Sequence, residues 1–313
     1  MAHRAFDQIS HPQHERLAHI EFRLLFLGSL NRADLRQRFN VSTSAAARDL
    51  ALYRQLAPGN IVYDQADETY RPAADFTPLY NYTPAQVLTA LSEGYGDDFV
   101  STPSSRLQSE LSGRLPAPSL DVLIPVSRAL FSGKTLRIAY RSLSSGFSHK
   151  IIVPLVLVDN GLRWHLRAFD ADRGRYADFV LNRIESAAVD DTDTDLPSLR
   201  DQDRDWHTEI SLELVPHPSL PHPETIVFEY GMTNGVMTLP VRSALAGYLL
   251  RRWNVDCTTD HSLHGSEYHL WLRNSDTLCR MTDYPIPNMT LAPGFVSPLP
   301  VTPPSVHPEG LYE

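Results

Sequence analysis

Only Asn40 and Val41 separate a stretch of helical periodicity ending at Phe39 from a second one opened by Ser42. A link that short makes two helices cross sharply, which admits a helix-turn-helix and little else. Upstream, Leu17, Ile20, Leu24 and Leu27 form one apolar stripe, and Gly28 ends that helix. Asn31, with Asp34 three residues on, reads as a capping box with Asp in place of Glu, and the short helix it opens buries Leu35 and Phe39. Ser42 caps a third helix whose inner face is Ala46, Leu50 and Tyr53. Its opposite face carries Ser44, Arg48, Ala51 and Gln55, with Thr43 and Ala47 beside them. Small residues next to an arginine near a helix N-terminus permit close approach to base edges. Pro58-Gly59-Asn60 then breaks the helix, and 61–63 and 69–71 read as a hairpin wing around DQADE. Thr43, Ser44 and Arg48 are the expected base-reading residues. Arg54 and Arg71 are candidate phosphate contacts, each also compatible with a surface arginine that has no specific partner.

The formal net charge of −9 opposes DNA binding until its distribution is considered. Residues 1–60 carry eight Arg against five acids, whereas 190–205 carry seven Asp against two Arg. Screening confines each field to a Debye length of about 8–10 Å, so a remote acidic segment does not cancel a basic head. The chain has 26 Arg and two Lys, a bias that suits phosphate and guanine contacts and that a GC-rich genome also produces. No apolar run reaches the roughly 18–20 residues of a membrane span, and the polar first residues lack the apolar stretch of a secretory signal. The two cysteines, Cys257 and Cys279, cannot build a disulfide framework or a four-ligand zinc site alone. The expectation is a cytoplasmic protein with no metal and no cofactor.

Helices are expected from Tyr82-Thr83-Pro84 to about Glu93, over 104–113 and over 120–132, stopped by Gly133. From Thr135 the period becomes that of strands, over 135–140, 150–158, 163–169 and 176–184. Asp159-Asn160-Gly161 is a hairpin signal, and several short strands at this spacing suggest a small barrel. In 163–168, alternation places Trp164, Leu166 and Ala168 on one face and Arg163, His165 and Arg167 on the other. The second face is expected to be displayed, a cationic surface suited to phosphate or a nucleotide. Arg183 and the hydroxyls of Ser142, Ser144 and Ser145 can converge on it.

Residues 163–170 and 178–184 together resemble the WYL-domain family, with Trp164-His165-Leu166 standing where that family has Trp-Tyr-Leu. The Arg-Trp-His form, with SLSSG upstream, resembles the three-part regulators encoded beside phage-defence systems such as BREX and CBASS. The stretch from Ala47-Arg48-Asp49-Leu50 to Ile61-Val62-Tyr63-Asp64 is similar to the same subgroup. The resemblance implies an α+β multidomain chain: a winged helix-turn-helix (1–78), a helical linker (79–132), an Sm-like WYL β-barrel (133–190), an acidic linker (191–208) and a small α+β C-terminal dimerisation domain (209–313). It also implies a ligand pocket at Tyr140, Ser142, His165, Arg167 and Arg183. His165 replaces the family's Tyr, and Leu155 follows Pro154 where a His is frequent.

In the last third, 225–230 and 235–241 read as a hairpin around Asn234-Gly235. Ser243 opens a helix to about Arg252, more strands follow near 266–273, and a Pro-rich tail covers 285–308. Catalytic signatures are missing. Gly133-Lys134-Thr135 resembles the end of a phosphate loop, but Arg128 stands where its first glycine belongs. The pairs His217/His222 and His261/His264 lie among prolines and turns, and no G-x-S-x-G or H-E-x-x-H occurs. The expected protein is a regulator and not an enzyme: a homodimeric repressor of a phage-defence operon on an inverted-repeat operator in double-stranded DNA, relieved by an anionic nucleotide or nucleic-acid ligand. The alternative is an accessory factor holding single-stranded nucleic acid. A lack of clustered aromatics suited to base stacking on the barrel strands stands against it.

Overall fold

The computed structural model describes residues 9–94, 117–193, 196–281 and 285–296, so the helix expected at 104–113 and the end of the Pro-rich tail lie outside it. Two compact units result, Met1–Val158 with Arg163–Leu196, and Asp159–Leu162 with Pro197–Glu313.

The first unit opens with α1 (His11–Phe22), which runs into a π-helical turn (Arg23–Leu27) ended by Gly28 at φ 78°. That turn alters the expected stripe. Leu17, Ile20 and Leu24 are buried as their spacing predicts, but the widened turn rotates the chain, so Leu25 and Phe26 are buried while Leu27 is only half-buried. Next come α2 (Arg32–Phe39) and α3 (Thr43–Leu56). The Asn31/Asp34 capping box forms, with Asn31 N–H to Asp34 Oδ2 at 2.8 Å and Asp34 N–H to Asn31 Oδ1 at 3.0 Å. Asn40 ends α2 in the left-handed region at φ 51°, which Asn tolerates better than most residues, and Ser42 caps α3 by accepting from Ala45 N–H at 3.2 Å. The wing is β1 (Ile61–Asp64) against β2 (Thr69–Pro72).

After α4 (Pro84–Glu93) and α5 (Leu120–Ser132) the strands begin: β3 (Lys134–Ser142), β4 (Gly146–Asp159), β5 (Trp164–Asp170), β6 (Arg175–Val180) and β7 (Ile184–Asp193). They form one sheet in the order β6-β5-β4-β3-β7. No pairing joins the edge strands β6 and β7 among the described residues, so the sheet is open where a closed barrel was expected. The short 3-10 turn Leu181–Arg183 sends the chain from one edge of the sheet to the other. The core is continuous: Leu17, Leu50, Leu88, Leu123, Ile138 and Leu166 belong to one buried cluster. Each fully buried Leu or Ile contributes about 1.5–3 kcal/mol, so helices and sheet stabilise one another.

The second unit has α6 (Leu196–Asp201), α7 (Arg204–His207), β8 (Glu209–Pro216), α8 (Pro223–Glu229), β9 (Met237–Arg242), α9 (Ser243–Arg252), β10 (Val255–Asp256), β11 (Leu270–Leu272) and α10 (Ser275–Met281). Its sheet runs β10-β11-β8-β9, with its own core of Leu212, Leu214, Leu250 and Leu272. The hairpin expected around Asn234-Gly235 is corrected. The turn exists, with both residues at positive φ and Thr233 bridged to Val236, but 223–229 is helical and β9 pairs with β8. Pro223 at the first helical turn favours helix there over the strand propensity of Thr-Ile-Val-Phe. Ser243 does not cap its helix; its hydroxyl, fully buried, donates to Asp205 O at 2.9 Å.

Candidate functional site

Two sites were expected, and the fold treats them differently. On α3 the inner residues Ala46, Asp49, Leu50 and Tyr53 are buried, while Thr43, Ser44, Arg48 and Arg54 are exposed together on the outer side. The basic charge of the head is thereby narrowed. Arg16 is held by the buried carboxylate of Asp49 at 2.6 Å, and Arg23 pairs with Asp34 at 3.3 Å. Arg32, Arg36 and Arg38 on α2 and Arg48 and Arg54 on α3 remain exposed. Sequence reasoning missed the α2 arginines, although their clustering in seven residues was a visible signal. Arg71 is placed differently from the others. Its guanidinium lies between Asp64, at 2.9 Å, and Asp67, both carboxylates of the wing itself. A phosphate contact by Arg71 therefore competes with two carboxylates for the guanidinium.

Helix α3 is fixed from behind by Glu21, which is fully buried. Its carboxylate accepts from Tyr53 Oη at 2.9 Å, Leu79 N–H at 2.8 Å, Tyr80 N–H at 2.9 Å and Tyr82 Oη at 3.3 Å. Burial raises the Glu21 pKa, and these four donors oppose the rise. On the same helix, burial and the charges of Arg23 and Arg38 push His19 down to about 3, so the imidazole is neutral where it packs edge-on to Phe39.

On β5 the alternation is as expected and the exposure is not. His165 and Arg167 are each 2% exposed, so the face expected to be displayed is buried. A buried guanidinium needs a partner, and the β5–β6 register supplies one: Arg167 stands opposite Asp178, with Nη1 to Oδ1 at 3.2 Å. That partner was derivable, since the 171–174 turn puts Asp170 opposite Arg175 and three steps back along β5 reach Arg167 and Asp178. Nearby Lys150 pairs with Asp170 at 3.0 Å, another buried pair. Arg163 and Arg183, both half-buried, lie close enough to act on His165. Burial lowers the His165 pKa, Asp178 opposes this, and Arg163 and Arg183 add to it. The imidazole is thus neutral and offers one donor and one acceptor, the same capacity as the tyrosine hydroxyl it replaces. The structure gathers Arg163, His165, Arg167 and Arg183, brings the Tyr140 hydroxyl to Val180 opposite His165, and leaves Ser142 in a turn. Tyr140 packs edge-on to Phe179 and its hydroxyl accepts from Val180 N–H at 3.2 Å. Ser142 accepts from Ser144 and Ser145 N–H at 3.2 and 3.3 Å, closing the β3–β4 turn.

The outer side of the same sheet overturns one expectation. Phe147, 48% exposed, stacks edge-on to His149 at 5.2 Å, with the Arg141 guanidinium 5.3 Å from its ring. A clustered exposed aromatic pair does exist on these strands. Next to it lies an open groove of about 600 Å³ lined by Arg137, Ala139, His149, Asp172 and Ser186 among others.

A helix-turn-helix with a wing, followed by a five-stranded sheet around an Arg-His-Arg strand, defines the class of WYL-domain transcription regulators. Family models agree in chain order: the BrxR transcriptional regulator winged helix-turn-helix domain over 12–92, the WYL domain over 121–189 and the BrxR C-terminal dimerization domain over 209–278. The chain is 32% identical to the DNA-binding transcriptional repressor CapW of Escherichia coli strain KTE188, covering 85% of this chain and 90% of that one. CapW of Stenotrophomonas maltophilia is 32% identical over 78% of this chain and 84% of its own, and CapW of Pseudomonas aeruginosa 29% over 78% and 83%. The chain belongs to the CapW family of DNA-binding transcriptional repressors and is a regulator rather than an enzyme. A solved structure of the proteasome accessory factor PafBC of Arthrobacter aurescens matches at 17% identity and a TM-score of 0.26, over 75% of this chain and 43% of that one, too distantly to bear on the site.

Proposed function

We propose that the chain is a homodimeric repressor of a phage-defence operon of the BREX or CBASS kind, acting in the cytoplasm. It binds an inverted repeat in the operon's promoter, and an anionic nucleotide or nucleic-acid ligand at Arg163, His165, Arg167 and Arg183 relieves repression. The observation that carries the reading is the outer face of α3, where Thr43, Ser44, Arg48 and Arg54 are exposed together on a rigid, doubly capped helix-turn-helix. DNA geometry favours a dimer: one recognition helix reads one half-site, and two half-sites lie about 34 Å apart on one face of the duplex. The match to a dimerization domain over 209–278 supports it. Relief requires a ligand that binds the DNA-free state more tightly than the DNA-bound one. Several guanidinium groups around a neutral imidazole favour a phosphate-bearing ligand.

A mobility-shift titration of the upstream intergenic duplex against random duplex at 150 mM salt is the test. Preference for the intergenic duplex, released on adding one class of nucleotide or short nucleic acid, is the expected result. Equal affinity for both duplexes removes the repressor reading. Specific binding that no nucleotide or oligonucleotide reverses removes the sensor half alone. The Phe147/His149 pair with Arg141 favours a second reading, an accessory factor that stacks single-stranded bases on the outer sheet face. Tight single-strand binding without duplex preference would establish it.

A further inference from the structure

The π-helical turn after α1 ends at Gly28, so its last carbonyl groups have no partner within their own helix. One is supplied from 103 residues away in the chain. Arg128 of α5 donates from Nε to Leu25 O at 2.8 Å and reaches Leu24 O from Nη2 at 3.5 Å. The guanidinium stands at the negative end of the α1 dipole, where a cation is most favourable. The side chain is half-buried, and burial lowers its pKa from the ordinary arginine value. One turn on, the half-exposed ring of Phe131 lies under the Arg23 guanidinium at 5.5 Å. Arg23 in turn pairs with Asp34 at 3.3 Å, and the same Asp34 oxygen caps α2 by accepting from Asn31 N–H. The same α5 packs against β3 and β7 of the sheet. Every step between the sheet and the first helix of the helix-turn-helix is therefore a direct contact.

A π turn has an α-helical alternative that differs by one residue of register, and such turns recur at functional positions. Pro125, inside α5 and one turn before Arg128, removes a backbone donor and makes that helix easier to bend. We infer that Arg128 is a positioning residue that couples the WYL sheet to the DNA-reading head, holding the π turn through the Leu24 and Leu25 carbonyls so that movement of α5 is passed through Arg23 and Asp34 to α2 and α3. This deepens the repressor reading and rests on it. Linkage offers a test that needs no effector, because a sensor that changes DNA affinity must itself feel DNA.

The experiment is hydrogen exchange of the full chain with and without the upstream intergenic duplex, on wild type and Arg128→Met. In the wild type, bound duplex slows exchange through α1 and α2 and also through α5 and β3. In Arg128→Met the duplex still binds, about three- to tenfold more weakly, and the change stops at the π turn. Arg128→Lys keeps the charge but loses the two-pronged donor, and is expected to restore part of the transmission. Should Arg128→Met fail to fold, Phe131→Leu gives the same reading from the half-exposed end of the relay. Bound duplex with unchanged α5 exchange in the wild type overturns the relay alone, as does undiminished transmission in the variants. A wild type that binds no duplex overturns the repressor reading and the relay with it.

Discussion

The outer face of α3 and the polar face of β5 have the same kind of pattern and meet opposite fates. On α3, Thr43, Ser44, Arg48 and Arg54 face solvent; on β5, His165 and Arg167 are buried. A helix at the edge of a small head is covered on one side only, so the face opposite its apolar stripe stays wet. A strand inside a sheet can be covered on both sides, and its polar residues then survive only with partners. Polarity on a helix face is a statement about exposure. On an inner strand it announces a partner, here Asp178 for Arg167.

The largest expected effect tests the buried side of that contrast. Arg167→Met leaves Asp178 without this partner in a nearly dry site and should lower stability by about 3–5 kcal/mol. A denaturant midpoint unchanged from wild type would mean that β5 is wet after all. A ligand role for Arg167 is better probed with the double variant Arg167→Met/Asp178→Leu, in which neither charge is left behind.

Arg48→Ala tests the exposed side. It should cost about 1–3 kcal/mol of preference for the operator over random duplex while the melting temperature stays unchanged. A loss of stability instead would place Arg48 in a structural role.

His19 sharpens the comparison within the head. Its folded pKa of about 3 lies below the ordinary imidazole value of 6.5, so full stability is present above 6.5 and is lost as pH falls from there toward 3. Between pH 7 and pH 5 this should cost the wild type roughly 2 kcal/mol, at 1.36 kcal/mol per unit. His19→Leu should lack that part of the acid dependence. Thermal melts of both proteins at the two pH values decide it, and parallel losses would exclude His19 as the source.

The smallest effect belongs to the wing. With Arg71 held by Asp64 and Asp67, Arg71→Ala should weaken duplex binding by less than about 1 kcal/mol, as for other exposed pairs. Asp64→Asn with Asp67→Asn should strengthen binding and steepen its salt dependence, because it releases one cation for phosphate. A tenfold loss in Arg71→Ala would show that DNA displaces the wing carboxylates.

Much of the head was legible because its determinants are local. The Asn31/Asp34 box, the Ser42 cap and the Asp159-Asn160-Gly161 turn act within a few residues, and each formed where the sequence put it. The strands of the central sheet were legible for the same reason. Helix α8 was misread because Ile226, Val227 and Phe228 suit either state, and Pro223 together with packing of Ile226 into the core decided for helix. Strand β8 went unread although Ile210, Leu212 and Leu214 alternate, because the acidic run before it suggested a linker.

By itself the sequence determined the helix-turn-helix, the strand period from Thr135 onward and which residues are candidates for reading bases or holding phosphate. Caps, turns and side-chain periodicity are short-range physics, written in neighbouring residues. The tertiary structure alone decided that Arg16 and Arg71 are spent on carboxylates, that β5 is covered on both faces, that the sheet stays open and that Arg128 finishes a helix in another part of the chain. Those outcomes depend on which group is packed opposite, and that group comes from chain far away in sequence.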